Sequence, residues 1–391
     1  MHPLELTIIQ AGNEEEILKK LGINARISTS SWDTYWGKLL NIAFHRDGPD
    51  VSQVGAPSTG GVISMNVLRA FTRQEVKSMG GEEVFLPESW RTTKTKKEPY
   101  TWAIPFNADI RVLFYWRDLL EKVNIQPEKA FSTPTVFETT LKRLQESGVD
   151  FPWAFYAAFP YATLHVASMW VWAGGGEILD GKHFALTDPA PLESLKEFFR
   201  LKKYMPRYAY ETNSSENLME AFARQEIAVI CAGSNMLNPL QIKFQDQPER
   251  LKKLGVALPP GPAYVGGSNF IIWGHCRQEK QAVALVQQLT SKEMQLAFCQ
   301  EMGYLPTRLD ALAEPPYSTE PLYKIMVEAL KTGRAFPDLP RWGLVEDRLS
   351  SAFLHIWQQL YENPEADSDT ILEQTLIPIG KRLNLTLSDF G

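Results

Sequence analysis

Two periodicities alternate along the chain. Apolar residues fall at every second position, or in short runs, over Leu4–Ile9, Ala25–Thr29, Thr101–Ile104, Ile227–Cys231 and Asn269–Trp273, and each predicts a strand, as does Val51–Val54, where two valines bracket Ser52 and Gln53. Elsewhere the apolar positions lie three and four apart, the spacing of one helix face. One helix is expected over Thr135–Ser147, because Thr135 and Glu138 have capping-box spacing, Pro134 precedes them and Gly148 follows the last turn. A second begins at Asp188-Pro189 with Leu192, Leu195 and Phe199 on one side; a third carries Leu349, Phe353, Ile356 and Leu360. These stripes read as core packing. Strands alternating with amphipathic helices predict α/β layers around parallel sheets. There is no internal repeat, low-complexity tract or long linker, and the Pro- and Gly-rich piece Leu258–Gly267 reads as a segment crossing between discontinuous domains.

Length and composition narrow this picture. At 391 residues, 44% hydrophobic and 22% charged, the chain is too long for one core, so two domains are expected. A net charge of -6 and the lack of any basic stripe give no reason to expect nucleic acid or an anionic membrane as partner. Cys231, Cys276 and Cys299 form no CxxC pair, which argues against a disulfide framework and a structural zinc site and for buried free thiols; no metal and no cofactor are expected. Residues Met1–Ile9 lack the features of a secretory leader, and no apolar run approaches the roughly 18 residues of a membrane span. Two expectations stay open: a leader has been removed, or the protein works in the cytoplasm.

The candidate chemistry lies where strands give way to loops. Gln10–Glu15, Trp32–Trp36, Gly55–Thr59, Phe106–Arg111, His165–Gly176, Gly233–Asn235, Gly267–Asn269 and Arg341–Glu346 each combine aromatic, amide, hydroxyl or carboxylate side chains. Stacking planes beside planar hydrogen-bonding groups suit a pyranose, which has an apolar face and a polar rim. Ser58 and Thr59 follow a strand at its carboxyl end, where open α/β sheets bind ligands. Asp109 and Arg111 lie two apart in an extended stretch and share a face; the pair serves a ligand or forms a salt bridge between lobes. His165 bonds a hydroxyl or is a satisfied core histidine, and of Trp170 and Trp172 only one easily faces a cleft. Gly-Ser-Asn occurs at 233–235 and again at 267–269, and turn formation alone would also select these residues. HExxH, GxSxG, Walker A and GxGxxG sequences are absent, so no catalytic residue is assigned and the chain is not expected to be an enzyme. A glycosidase using paired carboxylates is the one enzymatic alternative.

Trp32-Asp33-Thr34-Tyr35-Trp36, Lys38-Leu39, Gly48-Pro49-Asp50-Val51, Ile104-Pro105, Arg111, Leu113-Phe114-Tyr115 and Arg117–Lys122 follow one another in a recognisable order. They are joined by Thr133-Pro134-Thr135, Trp172–Glu177, Phe222 with Glu226–Val229, Gly266–Asn269, Gly303–Arg308, and Trp342 with Glu346. In this order and spacing the chain resembles the bacterial extracellular solute-binding proteins of family 1, the carbohydrate-binding, maltose-binding-protein-like type. The resemblance implies an α/β, type II, two-lobed periplasmic-binding-protein-like fold with a ligand cleft between lobes joined by hinge strands. It implies an N-terminal lobe of 1–110 plus 268–312 and a C-terminal lobe of 111–267 plus 313–391, with hinges near Ile110–Val112, Tyr264–Gly267 and Ala311–Ala313. The ligand residues it implies are Gln10, Asn13 and Glu14, with helix capping as the other reading of Asn13; Trp32 in preference to Trp36; Ser58, Thr59, Asp109, Arg111, His165 and Trp170; Gly267, Ser268 and Asn269; and Arg308, Trp342 and Glu346, while Ser234 and Asn235 join them from the residue types of the first Gly-Ser-Asn triplet alone. One departure is that Ala11–Ile23 leaves room for only a short helix where the family has a longer one. The implied function is binding of a di- or oligosaccharide by a monomer and delivery to the permease subunits of an ABC-type importer, in the periplasm or at the cell surface as a lipoprotein. A cytoplasmic or tethered sensor using the same fold is the alternative.

Overall fold

The predicted runs become strands of two separate sheets. A computed structural model of the protein describes residues 3–10, 12–95, 100–159, 161–211, 215–337, 339 and 341–388; Ala11 and Pro340 lie outside the described residues. Its strands are β1 (Glu5–Ile9), β2 (Arg26–Ser30), β3 (Val51–Gly55), β4 (Leu68–Arg69), β5 (Ala103–Ile110), β6 (Val112–Trp116), β7 (Phe151–Phe155), β8 (Leu179–Asp180), β9 (His183–Phe184), β10 (Ile227–Ala232), β11 (Leu254–Ala257), β12 (Val265–Trp273) and β13 (Leu305–Pro306). The first sheet has the order β13-β5-β12-β3-β1-β2, with β4 on β12. Within it β1 runs parallel to β2 and β3, whereas β12 is antiparallel to β3. The second has the order β11-β6-β10-β7, and β10 is parallel to β7 and antiparallel to β6.

Burial follows strand position. Every residue of β3, β6 and β10 is buried, as expected for strands covered on both faces. The edge strand β2, Arg-Ile-Ser-Thr-Ser, is mostly exposed or half-buried and pairs only with β1.

Contacts divide the chain into two units. The first is Met1–Asp109, Val265–Val327 and Ala335–Gly343; the second is Ile110–Tyr264, Glu328–Arg334 and Leu344–Gly391. The expected hinge at Ala311–Ala313 instead falls inside the first unit, at the end of the helix Leu309–Leu312. Residues 313–327 and 335–343, read from sequence as C-terminal lobe, pack with the first unit. Tyr317 is buried there with its hydroxyl 3.4 Å from the Tyr304 carbonyl, and Lys292 pairs with Glu314 at 2.6 Å. The first core includes Phe106 between Phe270 (4.6 Å) and Phe298 (4.8 Å). The second gathers Phe137, Trp153, Trp170, Phe198 and Trp357. No helix among the described residues is long and apolar enough to cross a membrane.

Local rules account for the helix ends, with one correction. The helix Pro134–Glu146 is capped by Thr133, whose hydroxyl accepts the Val136 N–H at 3.2 Å, not by Thr135. Proline suits the first helical position, so the cap must be the residue before it. Glu138, freed from capping, pairs with Lys203 at 2.7 Å. The helix Glu14–Lys20 has seven residues, as short as the sequence between β1 and β2 allows.

Gly267 has φ +130°, and a Cβ there would lie 2.1 Å from the Asn107 carbonyl oxygen. Gly37, inside the helix Trp32–His45, has open space where a Cβ would go. Gly267→Ala is therefore expected to cost about 2 kcal/mol or more, and Gly37→Ala to stabilise by roughly 0.5–1 kcal/mol. Urea denaturation midpoints of the two variants check both signs.

Candidate functional site

In the first unit, polar side chains collect beside the end of β1. The Gln10 amide turns back to the Gly12 carbonyl (2.6 Å), closing the loop on itself. Asn13 stands at the helix N-cap but makes no side-chain capping bond and is exposed. Glu14, in contrast, is buried; its carboxylate accepts the Gly12 N–H at 2.8 Å and the Tyr304 hydroxyl at 3.1 Å. Burial first, and then the Glu14 carboxylate, hold the Tyr304 phenol well above its ordinary range, and Asp109 on β5 acts on the same phenol through space. Glu14, Tyr304 and half-buried Asp109 thus form one acidic cluster. Carboxylate oxygens are pure acceptors, suited to hydroxyl donors.

Other residues of this unit are committed to the fold. The segment after β3 is not a loop: it enters the buried helix Ala56–Ile63 directly. Ser58 is therefore bonded to the Tyr35 hydroxyl (2.7 Å), while Thr59 donates to the Gly55 carbonyl (3.1 Å) and accepts the Asn269 amide (2.9 Å). Asn269 also donates to Thr92 (2.8 Å), and Ser268 joins Gln53 (2.7 Å) to Asn107. Arg308 grips Asp310 through two bonds, caps the Met79 carbonyl (2.9 Å) and lies over the Phe85 ring. Trp342 is fully buried with its ring 4.6 Å from Phe336, so it is a packed side chain, not an exposed platform. Half-buried Trp32 meets Tyr35 edge-on at 5.3 Å, above Gly55.

In the second unit, Arg111, His165 and Tyr264 form one stack. The imidazole lies 4.0 Å from the Tyr264 ring, nearly parallel at 9°, with Nδ1 3.2 Å from Arg111 Nη2. Burial and then the Arg111 guanidinium hold His165 well below the ordinary histidine range, so it is neutral at pH 7. Nearby along the chain Arg334 pairs with Glu177 (2.9 Å) and lies 5.0 Å above the Trp172 ring. Trp170 is corrected to a core residue: only 1% exposed, it is enclosed by Phe137, Trp153 and Phe198. The Gly233–Asn235 triplet forms the turn after β10, with Ser234 buried and Asn235 exposed. Glu346 is buried in the long helix Trp342–Glu362.

Sequence reasoning missed Tyr304, Tyr264 and Arg334 as members of these clusters. Tyr304 stood inside a motif used only as a family marker, Tyr264 inside a crossing segment, and Arg334 had no local signal. Among the described residues no group of three His, Cys, Asp or Glu could hold a metal ion.

The fold is that of the two-lobed periplasmic binding proteins. Residues 15–325 match the model of the bacterial extracellular solute-binding proteins, and the chain belongs to that family. The maltose-bound MalE3 of T. maritima superposes with a TM-score of 0.80 at 19% identity, over 98% of this chain and 99% of that one. A Thermotoga lettingae TMO solute-binding protein of an ABC transporter, bound with α-D-tagatose, gives 0.79 at 20% identity over 98% and 99%. A Brucella abortus (strain 2308) protein, named only as a binding protein, is 22% identical over 371 residues, 90% of this chain and 87% of its own length.

Two outcomes follow for stability. Tyr304→Phe withdraws a donor from the buried Glu14 carboxylate and is expected to cost about 1–3 kcal/mol at neutral pH, read from the urea midpoint. His165 is depressed in the folded state, so below about pH 6.5 the unfolded chain takes a proton that the folded chain refuses. Stability should fall from pH 7 towards pH 5 by up to roughly 1.4 kcal/mol per pH unit, and this component should vanish in His165→Gln.

Proposed function

We propose that the protein binds a carbohydrate, a di- or oligosaccharide, and delivers it to the membrane subunits of an ABC-type importer. The observation that carries this reading is the acidic cluster of Glu14, Asp109 and Tyr304 at the strand ends of the first unit. A neutral sugar presents adjacent hydroxyls, each able to donate to a carboxylate oxygen. The second unit carries a basic and aromatic cluster of its own, Arg111, Tyr264, Trp172 and Arg334, which offers donors and ring faces of the kind a pyranose takes. Solved structures with this fold hold maltose and α-D-tagatose, which supports a sugar as the solute. The protein acts as a binder with no chemical step, working as a monomer outside the cytoplasmic membrane.

The test is a thermal-shift panel of mono-, di- and oligosaccharides with amino acids and polyamines as controls. A sugar at 100 times its dissociation constant adds about 2.7 kcal/mol of stability. Asp109→Asn is expected to weaken that sugar roughly 10- to 100-fold, read as a smaller ligand-induced shift at the same sugar concentration. A flat response to every sugar beside a clear shift with another solute would overturn the carbohydrate reading.

A further inference from the structure

The chain passes between its units five times, and three of these passages follow Asp109, Tyr264 and Arg334. On the second unit's side these passages are hydrogen-bonded to one another. The Arg111 N–H donates to the Tyr264 carbonyl at 3.0 Å, the Arg334 N–H donates to the Ala263 carbonyl at 2.7 Å, and Tyr264 and Arg334 form a parallel bridge. Arg111 Nη1 also returns to the Ile110 carbonyl at 3.0 Å.

His165, on the helix Ala162–Ala173, is packed against this junction. It stacks on Tyr264 at 4.0 Å, and its Nδ1 lies 3.2 Å from Arg111 Nη2. A guanidinium has donors only, so Nδ1 must be the acceptor and the ring proton must sit on Nε2. A second proton would go to Nδ1, turning acceptor into donor and setting two cations in contact.

We infer that His165 is a positioning residue for the inter-unit passages: its neutral ring holds Arg111 and Tyr264 together, and its protonation releases them. Arg111, from the turn between β5 and β6, sets a charged group against the ring, and Tyr264 supplies a phenol. Asp109 lies two residues before Arg111, and Glu177, beyond the helix, is tied to Arg334. Each pH unit below about 6.5 favours the protonated, released form by roughly tenfold. The inference is independent of which solute the protein binds.

The test uses the full chain without ligand. Amide hydrogen exchange, corrected for its intrinsic pH dependence, is followed at 110–112, 263–265 and 334–336 at about pH 7.5 and about pH 5, either side of an ordinary histidine's range. Exchange there is expected to be at least tenfold faster at the lower pH, with β3 and β10 unchanged. His165→Phe keeps a stacking ring but no acceptor, and should show the fast exchange already at the higher pH. His165→Gln keeps an acceptor that does not titrate, and should stay protected at both. Equal exchange of the wild type at both pH values overturns the inference, as does loosening spread evenly over the second unit. Should His165→Phe fail to fold, 15N NMR of the wild-type imidazole decides: an Nε2–H tautomer is expected, and an Nδ1–H tautomer overturns the inference.

Discussion

The backbone bonds at residues 263 and 264 are the constraint on which the rest of this protein depends. Tyr264 and Ala263 accept the amides of Arg111 and Arg334, drawing together segments more than two hundred residues apart in the chain. Neither unit is continuous in sequence, so neither can close its core until remote pieces arrive. Loop closure of this length carries an entropic cost that grows only slowly with length, and large cores offset it. Each core supplies a dense aromatic interior: Phe106, Phe270 and Phe298 in the first unit, and Phe137, Trp153, Trp170 and Phe198 in the second.

The two polar clusters differ in kind. Glu14, Tyr304 and Asp109 offer acceptors backed by a phenol, and the phenol is committed to Glu14. Arg111, Arg334, Tyr264 and Trp172 offer donors and ring faces, with His165 as the uncharged wedge that keeps one guanidinium in place. An isolated buried carboxylate is costly, and Glu14 is tolerated because the Gly12 amide and the Tyr304 hydroxyl both point at it. The same bonds hold the Glu14 carboxylate in one orientation.

Much of the fold was legible because apolar periodicity is a direct record of burial. β10 was visible as an unbroken run, and the helix Pro189–Arg200 as a stripe behind a proline. The boundaries were less so: β5 was read over its first residues only, although it continues through Asn107 and Asp109, because polar side chains interrupt the apolar pattern while the backbone ladder persists. The site was harder for a related reason. Ser58, Thr59, Ser268 and Asn269 carry the same groups whether they bond a solute or the fold, and here Ser58 bonds Tyr35, Thr59 bonds Asn269, and Ser268 bonds Gln53 and Asn107. Trp170 and Trp172 differ by two positions in one helix, and nothing local distinguishes the ring sealed in the aromatic core from the ring that lies under Arg334.

The polar edge of the first sheet bears on how this protein can be used in a cell. Among the described residues β2 ends the strand order with one ladder of N–H and C=O groups unmatched, and it carries Arg26, Ser28 and Thr29. A charge and short hydroxyl side chains make a poor template for a strand from another molecule. At this border, then, two copies of the chain that meet have little to gain by sharing a sheet, and crowding alone does not favour strand exchange through β2.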